Sequence, residues 1–210
     1  MIDSTNPLRR SVYRLAVAAA GVVALLSLYL VNPELPTLTL PEIFRPVAEP
    51  VVEAVNVTSV LAATTIVAIV AAMRKLPYGM AAALMLCIGS NITGAGIREW
   101  ASDTSATLLP NGHVVAIIAL WGAALLVTAP RFQPVLVGLG FVVVVAVAGA
   151  VALVDPISVP GIVASLLVGA IWWALASAVM LYSPAAAERE RQRPDTAAIA
   201  FSRYNGNNRP

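Results

Sequence analysis

Six long stretches of this chain carry no charged residue, and that pattern decides what the chain can fold into. They run Leu15–Val31, Val55–Met73, Tyr78–Ile97, His113–Ala129, Pro134–Val154 and Val159–Tyr182. A helix needs about 20 predominantly apolar residues to cross a bilayer core of about 30 Å. The second and fourth stretches sit at the short end of that requirement. Hydrophobic residues make up 59% of the 210 and charged residues only 11%, where a soluble domain carries about 25% charged. So little charge cannot cover the surface of a water-soluble globule. A transmembrane barrel would alternate apolar and polar residues in segments of about ten, and these runs are continuously apolar. The expected fold is an all-α integral membrane protein of six transmembrane helices.

Orientation follows from the bias of Lys and Arg toward the cytoplasmic loops. If the N-terminus lies inside, only Arg45 and Arg98 of the 13 Lys and Arg residues fall on the outer side. The other eleven, among them Arg9, Arg10, Arg14, Arg74, Lys75 and Arg131, fall inside. The acids lean the other way, with Glu34, Glu42, Glu49, Glu53, Glu99, Asp103 and Asp155 outside. The expectation is therefore N-in, C-in.

Three regions follow: a cytoplasmic N-terminus at 1–14, a membrane domain at 15–182, and a cytoplasmic tail at 183–210. The first apolar run is longer than a signal-peptide core, and Val31-Asn32-Pro33-Glu34 offers no small-x-small cleavage site, so it reads as a retained anchor. An outer loop at 32–54 is rich in proline, and within it Glu42–Val55 has the pattern of a short amphipathic segment on the membrane surface. The tail is polar and Arg-rich, the composition of a disordered segment.

The same composition removes several kinds of chemistry. One cysteine, Cys87, forms no intrachain disulfide, and one histidine, His113, makes no His–His metal site. No metal and no cofactor is expected, and the scattered basic residues offer no nucleic-acid surface. No ionisable side chain lies within a span, where proton- or ion-coupled transport would need one. The polar residues inside spans, including Thr64, Ser90, Asn91, Thr93, Ser165 and Ser177, read first as helix–helix hydrogen bonding. Gly161, Ser165 and Gly169 form a small-xxx-small packing row.

The remaining candidates gather on the outer side. Arg98, Glu99 and Asp103 follow the third span, Leu109-Pro110-Asn111-Gly112-His113 leads into the fourth, and Asp155–Pro160 joins the fifth to the sixth. Pro110 and Gly112 turn the chain, Asn111 can cap, and the following helix N-terminus offers N–H groups and a positive dipole end. A lipid phosphate suits that place, with Arg98 as the counter-charge. The plainer alternative makes His113 an interfacial residue and Arg98 an anchor for the third span.

The Pro-Asn-Gly-His element, the run Pro160-Gly-Ile-Val-Ala-Ser-Leu-Leu-Val-Gly169 and the stretch Gly89-Ser90-Asn91-Ile92-Thr93 resemble the type 2 phosphatidic acid phosphatase family, in particular its actinobacterial members. The resemblance covers roughly Tyr78 to Tyr182 and rests on order and spacing. It implies a six-helix bundle with the site at the outer surface of a bacterial plasma membrane. The family's motifs are Lys-x6-Arg-Pro, Pro-Ser-Gly-His and Ser-Arg-x5-His-x3-Asp. Setting the first Lys on Arg98 places Ser105 and Ala106 where Arg-Pro belongs. In the second motif Pro110, Gly112 and His113 match, with Asn111 for Ser. The third gives Ala150 and Val151 for Ser-Arg, Ile157 for the histidine and Gly161 for the aspartate.

In the family the third-motif histidine attacks phosphorus and the second-motif histidine protonates the leaving group. Isoleucine has no lone pair to attack with, and phosphoryl transfer depends on positioned, charge-neutralising groups. The resemblance thus implies a catalytically degenerate member. It would bind a lipid or polyprenyl phosphate, or a membrane-protein partner, through Arg98, Asn111 and Gly112, with His113 a vestigial catalytic residue. Two alternatives stand beside it: an active lipid-phosphate phosphatase using His113, and a structural subunit of an envelope-assembly complex.

Overall fold

The computed structural model describes residues 7–31, 42–101, 108–154 and 158–182. Seven helices form there: α1 (Pro7–Val31), α2 (Arg45–Ala54), α3 (Val57–Met73), α4 (Pro77–Trp100), α5 (Gly112–Val127), α6 (Gln133–Val154) and α7 (Val159–Leu181). Short 3-10 turns, Glu42–Phe44 and Pro130–Phe132, precede α2 and α6. Within the described residues the chain is all-helical, as the six apolar runs require. The residues 1–6, residues 32–41 of the Pro-rich loop, Asp103, Ser105, Ala106, Asp155, Ile157 and the tail from 183 lie outside the described residues.

Four helices are long and apolar enough to cross a membrane alone: α1, α4, α6 with its preceding turn, and α7. α3 reaches the requirement only together with α2, across a bend of 54°. α5 has 16 residues, about 24 Å at 1.5 Å per residue, and does not reach it. Four to five helices therefore meet the length criterion, and a six-span count goes beyond it. Helix ends also differ from the apolar limits. α1 begins at Pro7, so Arg9, Arg10 and Arg14 are already helical, and α4 runs on to Trp100, which puts Arg98 and Glu99 in its last turn. Charge interrupts an apolar run without breaking a helix, because Arg and Glu are good helix formers.

Local sequence sets the starts and stops. Proline occupies the first turn of α2, α4 and α7, where its missing N–H costs nothing. Asn56 caps α3 in a reciprocal box: the Ser59 N–H donates to Asn56 Oδ1 at 2.9 Å and the Asn56 N–H to Ser59 Oγ at 3.0 Å. Asn56, at the head of Asn56-Val57-Thr58, is thus a capping residue. α3 stops in a tight closure in which the Leu76 N–H reaches the Ala71 carbonyl and the Lys75 N–H the Ala72 carbonyl. Lys75 takes the left-handed position there, with φ 54°.

α5 is the hub. It packs against α3, α4, α6 and α7, and every residue of it is buried or half-buried. α1 packs along α7, and α2 lies on α6, with Ala48 and Val52 buried against Val144, Val147 and Val151. The segment Glu42–Val55, expected on the membrane surface, is helical over Arg45–Ala54, and its buried face meets α6 instead.

Glycines admit aromatic rings between helices. A methyl at Gly89 would meet Trp172, and one at Gly140 would meet Trp121. The indoles are also bonded, Trp172 Nε1 to Thr93 Oγ1 and Trp121 Nε1 to the Leu136 carbonyl, both at 3.0 Å. At the other end of the bundle, arginines serve carbonyls near helix C-termini: Arg14 Nη1 donates to Ser177 and Arg74 Nη1 to Val127.

Candidate functional site

The last turn of α4 lies beside the first turn of α5, although eleven residues separate the two helices. Arg98 points across this gap and donates from Nη1 to the Pro110 carbonyl at 2.9 Å. Its guanidinium fits between two glycines. A Cβ added at Gly112 would stand 3.5 Å from Nη1, and one at Gly94 would stand 3.8 Å from it. Those are ordinary contacts, so alanine fits, but a longer side chain at Gly112 would displace the guanidinium. Among the described residues, no carboxylate pairs with Arg98. The described ion pair is Arg45–Glu49 at 3.0 Å, on an exposed helix face.

Asn111 is the N-cap of α5. Its Oδ1 accepts from the His113 N–H at 2.9 Å and the Val114 N–H at 3.3 Å. Two of the N–H groups that the sequence offered to a phosphate are therefore already satisfied by the cap. Anion attraction here rests on Arg98. The loop itself is pinned from α7: the Asn111 N–H donates to Ser165 Oγ at 2.9 Å, and that hydroxyl donates to the Gly161 carbonyl at 2.9 Å.

These residues form the mouth of a cavity of about 850 Å³, near the top of the usual range for ligand sites, about 300–1,000 Å³. Arg98, Asn111, Gly112 and His113 all line it. The four residues assigned from sequence are thus brought together. Asp103 and Asp155, expected beside them, lie outside the described residues.

Below the mouth the walls come from α3 and α4, with Leu61 and Thr64 facing Cys87, Ile88 and Asn91. Eleven helical steps separate Arg98 from Cys87, about 16 Å at 1.5 Å per residue. Two polar groups at depth donate to carbonyls of their own helices, and Thr64 also bonds to Cys87 across to α4. Thr64 Oγ1 donates to the Val60 carbonyl at 2.8 Å and Asn91 Nδ2 to the Cys87 carbonyl at 2.8 Å. The cavity is charged at one end and apolar along its length.

Two sequence readings change here. Ser90, Asn91 and Ser177 were expected to bond between helices, but each donates to a carbonyl three or four residues back in its own helix. A lone hydroxyl or amide on a helix finds that acceptor without a partner. Thr93 and Ser165 do bond across helices, and Thr64, besides its bond to Val60, bonds to Cys87 on α4. The wall from α3, including Asn56, Val57 and Leu61, was not foreseen. Val57, Val60 and Leu61 are followed by apolar residues on the other faces of α3 as well, so no pattern marks the face that borders a cavity.

The remaining positions aligned with the phosphatase motifs have structural settings. Val151 is fully buried and Ala150 6% exposed, in the cluster that seats α2 on α6. Gly161 is buried in the first turn of α7, where its N–H donates to Ser158 Oγ at 3.3 Å. Compared with protein families, curated proteins and solved structures, the chain matches none.

Proposed function

We propose that this chain is a six-span membrane protein, N-in and C-in, that binds a lipid or polyprenyl phosphate at its outer face without hydrolysing it. The observation that carries the reading is Arg98, held against the Pro110 carbonyl at the mouth of an apolar cavity with no carboxylate paired to it among the described residues. A guanidinium is a strong phosphate ligand, and an apolar cavity beneath it suits the rest of an amphiphile. The degenerate phosphatidic acid phosphatase reading agrees with this, because a family-type turnover needs two histidines and this chain has one.

The six-span count rests on the six apolar runs, with α5 enclosed by its neighbours. The orientation rests on the Lys and Arg bias, and a bacterial plasma membrane on the family resemblance.

The test has two arms. Purified protein incubated with phosphatidic acid or a polyprenyl pyrophosphate should release no phosphate above a His113→Ala control. Lipids co-purified with the wild type should be enriched in phosphate monoesters or diphosphates, and Arg98→Ala should lose that enrichment. Metal-independent hydrolysis abolished in His113→Ala would instead establish an active phosphatase. Equal lipid content in wild type and Arg98→Ala would leave the scaffold alternative.

A further inference from the structure

We infer that the occupant of this cavity is a membrane lipid that slides in sideways between α3 and α4, with one apolar chain inside the protein and its anionic headgroup stopped at Arg98. This rests on the phosphate reading of Arg98 and adds to it the route, the position of the chain and the exclusion of water-soluble esters.

The lip of the cavity gives the route. Val57 and Leu61 on α3 are 77% and 59% exposed, and Ile88 and Ile92 on α4 are 51% and 66% exposed. All four also line the cavity, so its wall continues without a polar break onto the apolar outside of the bundle. Thr64 and Cys87 behind that lip are 6% and 2% exposed and form a floor away from the surrounding lipid. A chain crossing the lip meets few polar groups, since the Thr64 hydroxyl and one Asn91 N–H are already bonded to carbonyls of their own helices. A hydrated ester taking the same path would lose its water with little in exchange.

The bend between α2 and α3 keeps the gap open. It turns α2 by 54° away from the line of α3 and seats it on α6 instead. The other faces of α5 are filled: Ile118 stands where a methyl at Gly169 would go, and Trp121 where one at Gly140 would go. The depth also fits one chain. About 16 Å from Arg98 to Cys87, from the 1.5 Å helical rise, is about half of a 30 Å hydrocarbon core, the depth of one leaflet. Charge complementarity selects the headgroup, because Arg98 at the mouth has no acidic partner among the described residues.

The probe is phosphatidic acid carrying a diazirine midway along one chain, in nanodiscs with the full-length protein, with cross-links mapped by mass spectrometry. Cross-links at Thr64 and Cys87 are expected, and Arg98→Gln should reduce them at least tenfold while the exposed α6 positions Val142 and Val145 label unchanged. Gln removes the charge, and the loop keeps its bond from the Asn111 N–H to Ser165 Oγ. Excess glycerol phosphate should not compete, and a diazirine phosphatidylcholine should label Thr64 and Cys87 weakly. Cross-links confined to α6 and other outward positions, with phosphatidic acid still lost on purification of Arg98→Ala, overturn the sideways cavity and leave the headgroup reading intact. Interior labelling unchanged in Arg98→Gln overturns the headgroup reading, and this inference with it. Competition by glycerol phosphate, or equal labelling by phosphatidylcholine, overturns the choice of an anionic lipid.

Discussion

The hydroxyl of Ser165 on α7 accepts the backbone N–H of Asn111 at 2.9 Å, joining positions 54 apart in sequence. Ser165 is fully buried, so this bond cannot be handed to bulk water. Ser165→Ala should leave the Asn111 N–H without its acceptor and cost about 1–3 kcal/mol. Unfolding in mixed micelles measures it. A variant as stable as wild type would show that the α5 start is held by α4 alone.

Lys75 is the left-handed residue that closes α3, at φ 54°. A side chain there costs roughly 1–2 kcal/mol, part of which glycine returns through the freer unfolded chain. Lys75→Gly should stabilise the protein by about 0.5–1 kcal/mol, and Lys75→Val should destabilise it, because branching at Cβ sharpens the clash. Thermal unfolding of the two variants should therefore move in opposite directions.

Two glycines of α6 should respond oppositely to the same change. A methyl at Gly140 would fall on the Trp121 indole, whereas one at Gly149 meets nothing within 4 Å. The indole cannot yield freely, since its Nε1 is bonded to the Leu136 carbonyl at 3.0 Å. Gly140→Ala should cost about 1–3 kcal/mol, as overpacking does. Gly149→Ala should be neutral or gain up to about 1 kcal/mol from helix propensity. Equal stabilities would refute the ring-in-glycine packing of α5 on α6.

The proposed orientation makes a labelling prediction. In a Cys87→Ala background, single cysteines beside Lys75 and beside Arg131 should resist an impermeant thiol reagent in intact cells. Cysteines beside Glu42 and beside Asp103 should react. Labelling beside Arg131 in sealed cells would break the N-in, C-in arrangement.

Much of the helical scaffold was legible because a bilayer demands long charge-free runs, and each of the six runs became a helix. The ends were less legible. Arg14 and Arg98 were placed just outside spans, yet both are helical and reach back to carbonyls, Arg14 to Ser177 and Arg98 to Pro110. The meeting of Arg98 with Gly112 could be anticipated only in part: successive spans put the end of α4 and the start of α5 on the same side, and the eleven residues between them leave the contact itself open. The role of α3 could not. In water an apolar stripe marks the face that packs, but in lipid Leu61 and Thr64 sit among neighbours equally apolar on the outside and the inside. For the same reason the seat of α2 on α6, through Ala48 and Val52, was hidden behind a pattern that also suits a membrane surface.

α5 has only 16 residues and no exposed one. A helix that short, facing lipid, would force the bilayer to thin around it. Here its neighbours stand between it and the acyl chains, so the membrane is matched to the taller helices, such as the 24 residues of α4 and the 23 of α7. The protein should therefore keep its stability in bilayers too thick for α5 itself.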